Sequence, residues 1–101
     1  MVVKVRECVS ISEVRESIDQ LDDQIVKLIS ERSRYVEQAA KYKKDTDDVK
    51  APKMVEAVIE KVRNLANENN VNPDIIEEVY RTMISCFINH ELVQHSKLHS
   101  K

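Results

Sequence analysis

No glycine occurs anywhere in this 101-residue chain, so tight turns and phosphate-cradling loops lack their usual material. Aromatic residues are nearly as scarce, confined to Tyr35, Tyr42, Tyr80 and Phe87, and tryptophan is absent. Charge of one sign is lacking as well: acidic and basic residues are interspersed to a formal net charge of -2, without the basic footprint that nucleic-acid binding leaves. No apolar run approaches the roughly 20 residues that span a bilayer, and Met1-Val2-Val3-Lys4-Val5-Arg6 has no signal-peptide core. A cytoplasmic protein without membrane or nucleic-acid partners is expected. Cysteine is limited to Cys8 and Cys86, far apart and without paired spacing, which predicts free thiols, with Cys86 packed in the core. Neither has a neighbouring base that would make it a nucleophile. His95 and His99 are four apart, but neither they nor His90 has a third ligand at sensible spacing, so no metal is expected. No cofactor motif is present, and no cofactor is expected.

What remains is aliphatic and charged, and its periodicity is helical. Ser10 followed by Glu13 has the form of a capping box. From there Ile11, Val14, Ile18, Leu21, Ile25, Leu28 and Ile29 recur at helical spacing, continuing through Val36, Ala39 and Ala40 to the polar cluster at Lys44-Asp45-Thr46-Asp47-Asp48. That predicts a first helix of roughly 34 residues, about 50 Å long. A second helix is predicted from Ala51-Pro52, with Val55, Val58, Ile59, Val62, Leu65 and Ala66 as its stripe and Asn67-Glu68-Asn69-Asn70 as its end. Asn72-Pro73 reads as an N-cap and a first-turn proline, opening a third helix with Ile76, Val79, Tyr80, Met83, Ile84, Phe87, Ile88 and Leu92 inward. Residues 1–9 read as an extension, 10–95 as one helical domain and 96–101 as a polar tail, with fraying expected from His95 onward.

The fold class is therefore all-α, three helices of which the first is too long for the other two to cover. A domain this small buries at best about two thirds of its unfolded surface, and the excess length leaves an apolar stripe bare. A two-fold homodimer that pairs the long helices, intertwining the chains, would cover it.

Several charges interrupt the apolar pattern. Arg15, Asp22, Ile29, Val36 and Lys43 are each seven apart, and Ile18, Ile25, Arg32 and Ala39 form the companion row. Two arginines and a lysine thus fall on the face that should be buried, where a cation needs a carboxylate from the protein or from a ligand. One reading has them snorkel to the helix edge or pair with Asp19, Asp22, Asp23 or Glu31; the other makes them a binding site. If the helix continues, Arg32 and Lys43 are about 16 Å apart along it, within reach of opposite ends of one small molecule. Arg15 is about 25 Å from Arg32, too far to join it on a compact ligand unless it comes from the partner chain. On the third helix Glu91 falls on the apolar face. Desolvation there would favour a protonated carboxyl able to donate a hydrogen bond; the plainer reading is a helix-end glutamate that reaches water or a lysine.

Val14-Arg15-Glu16-Ser17-Ile18-Asp19-Gln20-Leu21-Asp22, Leu28-Ile29-Ser30-Glu31-Arg32 and Ala40-Lys41-Tyr42-Lys43 together resemble the first helix of the all-helical chorismate mutases (type II). Val49-Lys50-Ala51-Pro52 and Phe87-Ile88-Asn89-His90-Glu91 extend the resemblance over about residues 10 to 92, closest to the subgroup that includes isochorismate-pyruvate lyases. The resemblance implies an intertwined homodimer in which Arg32 and the other protomer's Arg15 hold two substrate carboxylates, while Lys43 donates to the ether oxygen of an enol-pyruvyl bridge. It implies a rearrangement of chorismate to prephenate, or the lyase's elimination of pyruvate from isochorismate. A non-catalytic dimer that retains the pocket for a metabolite is the alternative from another class. Two positions depart from the pattern. Glu91 stands where the bacterial relatives carry glutamine and some eukaryotic mutases carry glutamate. Lys53-Met54-Val55 stands where relatives carry an arginine, and mutases a glutamate as well. Met54 cannot bind a carboxylate, and Lys53, about 100° away round the helix, is the expected substitute.

Overall fold

The computed structural model describes residues 5–45 and 49–99, with side chains as far as Gln94. Three helices make up its regular structure: α1 (Ile11–Ala40), α2 (Pro52–Glu68) and α3 (Pro73–His99), and the described residues contain no strand. None of these helices is long and apolar enough to cross a membrane. The chain divides into two units, Met1–Tyr35 and Val36–Lys101.

The first unit is built on α1. Ser10 caps it, its Oγ accepting the Glu13 N–H at 3.2 Å, which satisfies one donor that the first turn leaves open. The reciprocal half of the capping box is displaced by one residue: Glu13 Oε2 accepts the N–H of Val9, at 2.7 Å, rather than that of Ser10. No residue of α1 is buried. Val14, Ile18, Leu21, Ile25 and Leu28 are between 37% and 62% exposed, although their spacing is that of a helix designed to bury one face. Each such side chain forgoes part of the about 1.5–3 kcal/mol that full burial contributes.

The second unit holds the core. The end of α1 comes earlier than periodicity predicts: after Ala40 the N–H groups of Lys41, Tyr42 and Lys43 donate three residues back, to Gln38, Ala39 and Ala40. The expected 34-residue helix is thus 30 residues long, and Lys43 follows it rather than standing on it. Apolar spacing stops at Ala40 and the polar run begins at Lys43, leaving nothing to hold another turn. Pro52 occupies the first turn of α2, as predicted, and Ala51 before it is left-handed at φ 36°, a strained conformation for a residue with a Cβ.

Ile59, Val62 and Ala66 line the inner face of α2 and, with Val49 and Ile84, form the buried core. They are spaced three and four apart, so one stripe meets α3. The intervening turn shows how a chain without glycine reverses. Asn70 takes the left-handed conformation at φ 61°, the Val71 N–H donates to Ala66 at 2.9 Å and the Asn70 N–H to Asn67 at 3.4 Å, a Schellman closure with asparagine at the usual glycine position. Asn72 then caps α3, its Oδ1 accepting the Asp74 N–H at 2.9 Å.

Along α3, Ile76, Tyr80, Met83, Phe87, Ile88 and Leu92 are half-buried around buried Ile84. Three expectations fail. Val79 is 54% exposed and Leu65 44%, and Cys86 is exposed rather than packed. Ile75, Val79, Cys86 and Val93 recur at helical spacing on a second apolar stripe of α3, which nothing in this unit covers. Helix α3 continues to His99. The side chains of His95 and His99 lie outside the described residues.

An ion-pair ladder ties α2 to α3. Arg63 donates to Asp74 at 2.9 Å and to Glu77 at 2.7 Å. Arg81 donates through Nε to Glu77 at 2.7 Å and through both terminal nitrogens to Glu56 at 2.9 Å. Hydrogen bonds from Arg81, then Arg63, hold the Glu77 carboxyl below the usual range, and Arg81 does the same for Glu56. The same contacts raise both arginines, Arg63 chiefly through Asp74 and Arg81 chiefly through Glu56.

Candidate functional site

The five predicted site residues fall into both units. Arg15 and Arg32 stand on α1 in the first, Arg15 exposed and Arg32 half-buried. Helix geometry keeps them about 25 Å apart along one chain. Arg15 makes no ion pair with any described residue, so pairing within the chain is not what holds it. Near the helix start, residues 5–8 and the first turns of α1 enclose an open cleft of about 610 Å³, with Cys8 Sγ 3.9 Å from Ser17 Oγ. None of the predicted site residues lines that cleft.

Lys43, Lys53 and Glu91 belong to the second unit. Lys43 is half-buried in the connection after α1, Lys53 is exposed, and Met54 beside it is 66% exposed. Glu91 is placed by α3, seven residues beyond Ile84, on the side of the helix that carries the core. Its carboxyl Oε2 is buried and has no hydrogen-bond partner. Polar atoms removed from water almost always find a partner, and leaving one without costs about 1–3 kcal/mol. A group left in that condition marks a place where something else completes the bonding.

The surrounding space agrees with that. Glu91 opens on a cavity of about 370 Å³, lined also by Glu37, Ala40, Lys41, Val49, His90 and Gln94, within the range of small-molecule sites. Ala40 and Val49 give it an apolar wall, and its other lining residues are polar. Neither Lys43 nor Lys53 lines it, so of the three predicted residues in this unit the cavity contains Glu91 alone. Lys41 and His90 are lining residues that sequence reasoning did not place in the site; a signal for Lys41 was its four-residue spacing from Glu37 across the end of α1. Among the described residues, no group of three or more His, Cys, Asp or Glu is arranged to hold a metal ion.

Residues 14–92 match the sequence model of the family described as chorismate mutase type II. The chain belongs to the chorismate mutase type II family. Its relatives divide between two activities. It is 27% identical over 86 residues to the isochorismate pyruvate lyase of Pseudomonas aeruginosa, covering 85% of each chain. It is 28% identical over 75 residues to the chorismate mutase of Methanocaldococcus jannaschii, covering 73% of this chain and 76% of that one. The chorismate mutase type II match takes in Arg15, Arg32, Lys43, Lys53 and Glu91 together, and it ends at the residue after Glu91.

Proposed function

We propose that this protein is a chorismate mutase, converting chorismate to prephenate as a homodimer with two symmetric sites. The observation that carries the reading is the Glu91 carboxyl oxygen, buried and without a partner, in a family member that retains Arg15, Arg32 and Lys43. Arg32 and the other protomer's Arg15 hold the two substrate carboxylates, for which the guanidinium fork is shaped. Lys43 and Glu91 donate to the ether oxygen of the enol-pyruvyl bridge. The rearrangement is pericyclic: the ether C–O bond breaks as a new C–C bond forms, with no covalent intermediate on the enzyme. The residues act by holding the reactive conformer and by stabilising negative charge as it builds on the ether oxygen.

The dimer reading is supported by α1, whose apolar stripe is bare in one chain. Pairing two such helices buries both stripes and brings Arg15 to a site it cannot reach within its own chain.

A second reading, an isochorismate-pyruvate lyase, is favoured by the absence of the mutase glutamate from α2. Incubation of the purified protein with chorismate and, separately, isochorismate decides between them. Prephenate from chorismate is the expected product. Salicylate and pyruvate from isochorismate would replace the reading with the lyase, and turnover of neither, with a bicyclic dicarboxylate transition-state mimic still bound tightly, would replace it with a metabolite-binding dimer. Glu91→Gln, whose amide donates a hydrogen bond from the same position, is expected to retain mutase activity.

A further inference from the structure

Where the resemblance implies an arginine on α2 the chain has Met54, which is exposed and offers no charge. Beyond the two arginines of the proposed site, each substrate carboxylate keeps acceptor capacity for a further cation as it leaves water. The cations able to make good the loss are few. Lys53 is exposed and does not line the Glu91 cavity. Lys41 does line it, in the turn that follows α1, and it has no ion-pair partner among the described residues.

We propose that Lys41 is a substrate-carboxylate anchor of this site, taking over the binding that Met54 has relinquished. This rests on the chorismate-processing reading above. The early end of α1 is what makes it possible. At Ala40 the helix gives way to a tighter turn, which places Lys41 beside the cavity while Val49, 3% exposed, closes the wall next to it. The ligand then meets a cation at Lys41 and a hydrogen-bonding carboxyl at Glu91. His90 and Gln94 complete the polar lining, and Glu37, four residues before Lys41, opposes an anion there.

That arrangement fixes the sign of two substitutions. Lys41→Gln should raise KM for the turned-over substrate about tenfold, the loss of one charge-assisted hydrogen bond, with a smaller change in kcat. Glu37→Gln should lower KM, because it removes the opposing charge. Lys61→Gln, at an exposed α2 lysine outside the cavity, should leave KM within about twofold. Circular dichroism and thermal melting should be unchanged in Lys41→Gln, since the side chain is exposed. The same order should appear in calorimetric binding of the bicyclic dicarboxylate mimic. A Lys41→Gln variant with unchanged KM and unchanged mimic binding, in a wild-type protein that turns substrate over, overturns the anchor and leaves the function standing. A raised KM in Lys53→Gln instead assigns the role to Lys53 and likewise overturns it. A wild type that neither turns over nor binds any of these ligands overturns the function and the anchor together.

Discussion

The two units of this chain use the same aliphatic vocabulary to opposite ends. In the second, α2 and α3 bury Ile59, Val62, Ala66 and Ile84 against each other and lock the arrangement with a ladder of arginines and carboxylates. In the first, α1 carries an equally regular stripe and buries none of it. One unit packs an apolar stripe of each of its helices within the chain; the other leaves its stripe bare. Charge follows the same division. The arginines of the α2–α3 hairpin are satisfied by carboxylates of the chain, whereas Arg15 on α1 has none among the described residues.

The comparison can be broken at several points, and the largest effect is expected at the proposed site. Arg32→Ala and Arg15→Ala should each lower kcat/KM by about 100- to 1000-fold while leaving helicity intact. If each site takes Arg32 from one protomer and Arg15 from the other, mixing and exchanging the two inactive variants restores about a quarter of wild-type activity. Failure of the mixture to recover activity would place both arginines in one chain's site, or in none.

Ile25→Asp comes next. A charge on the bare stripe of α1 should split the dimer, seen as a halved mass in sedimentation, because an unpaired charge cannot be buried there. Unchanged mass would mean that the stripe stays in water and that α1 is not an interface. In the α2–α3 unit, Ile59→Ala should cost about 2–5 kcal/mol by cavity formation, read as a fall in the denaturation midpoint with little change in the KM of the protein that remains folded. Arg81→Ala is expected to have the smallest effect, a modest fall in melting temperature, because the ladder is part-exposed. Its pH dependence is more telling. Glu56 and Glu77 are held below the usual carboxylate range by Arg81, so their contribution is complete above that range and is lost as pH falls through the lowered values. Arg81→Ala should flatten the acid limb of the stability profile.

Much of the scaffold was legible in the sequence because its signals are local. Ser10 and Glu13 cap α1, Pro52 begins α2, and Asn72-Pro73 begins α3 where turn chemistry alone places them. The family was legible too, through residues spaced along the chain. What periodicity missed depends on one element meeting another. Glu56 and Arg81 are 25 residues apart and become partners only once α2 and α3 settle in register. Val79 and Cys86 fit an inward pattern equally well, and only the packing of α3 decides which of its two apolar stripes faces α2. The Glu91 cavity belongs to the same class. That Glu91 lies on the core side of α3 could be read from its spacing, but that Lys41 shares its cavity while Lys43 does not depends on α1 ending at Ala40.

The turn at Asn69 to Asn72 has a consequence in time. Because only these few residues separate α2 from α3, the hairpin's contacts are close in sequence, and such contacts form early and at a rate independent of concentration. The stripe on α1 has no such shortcut on the proposed dimer. Its burial waits for a collision between chains, so maturation of the active protein has a second-order phase that lengthens on dilution while the hairpin's own phase does not.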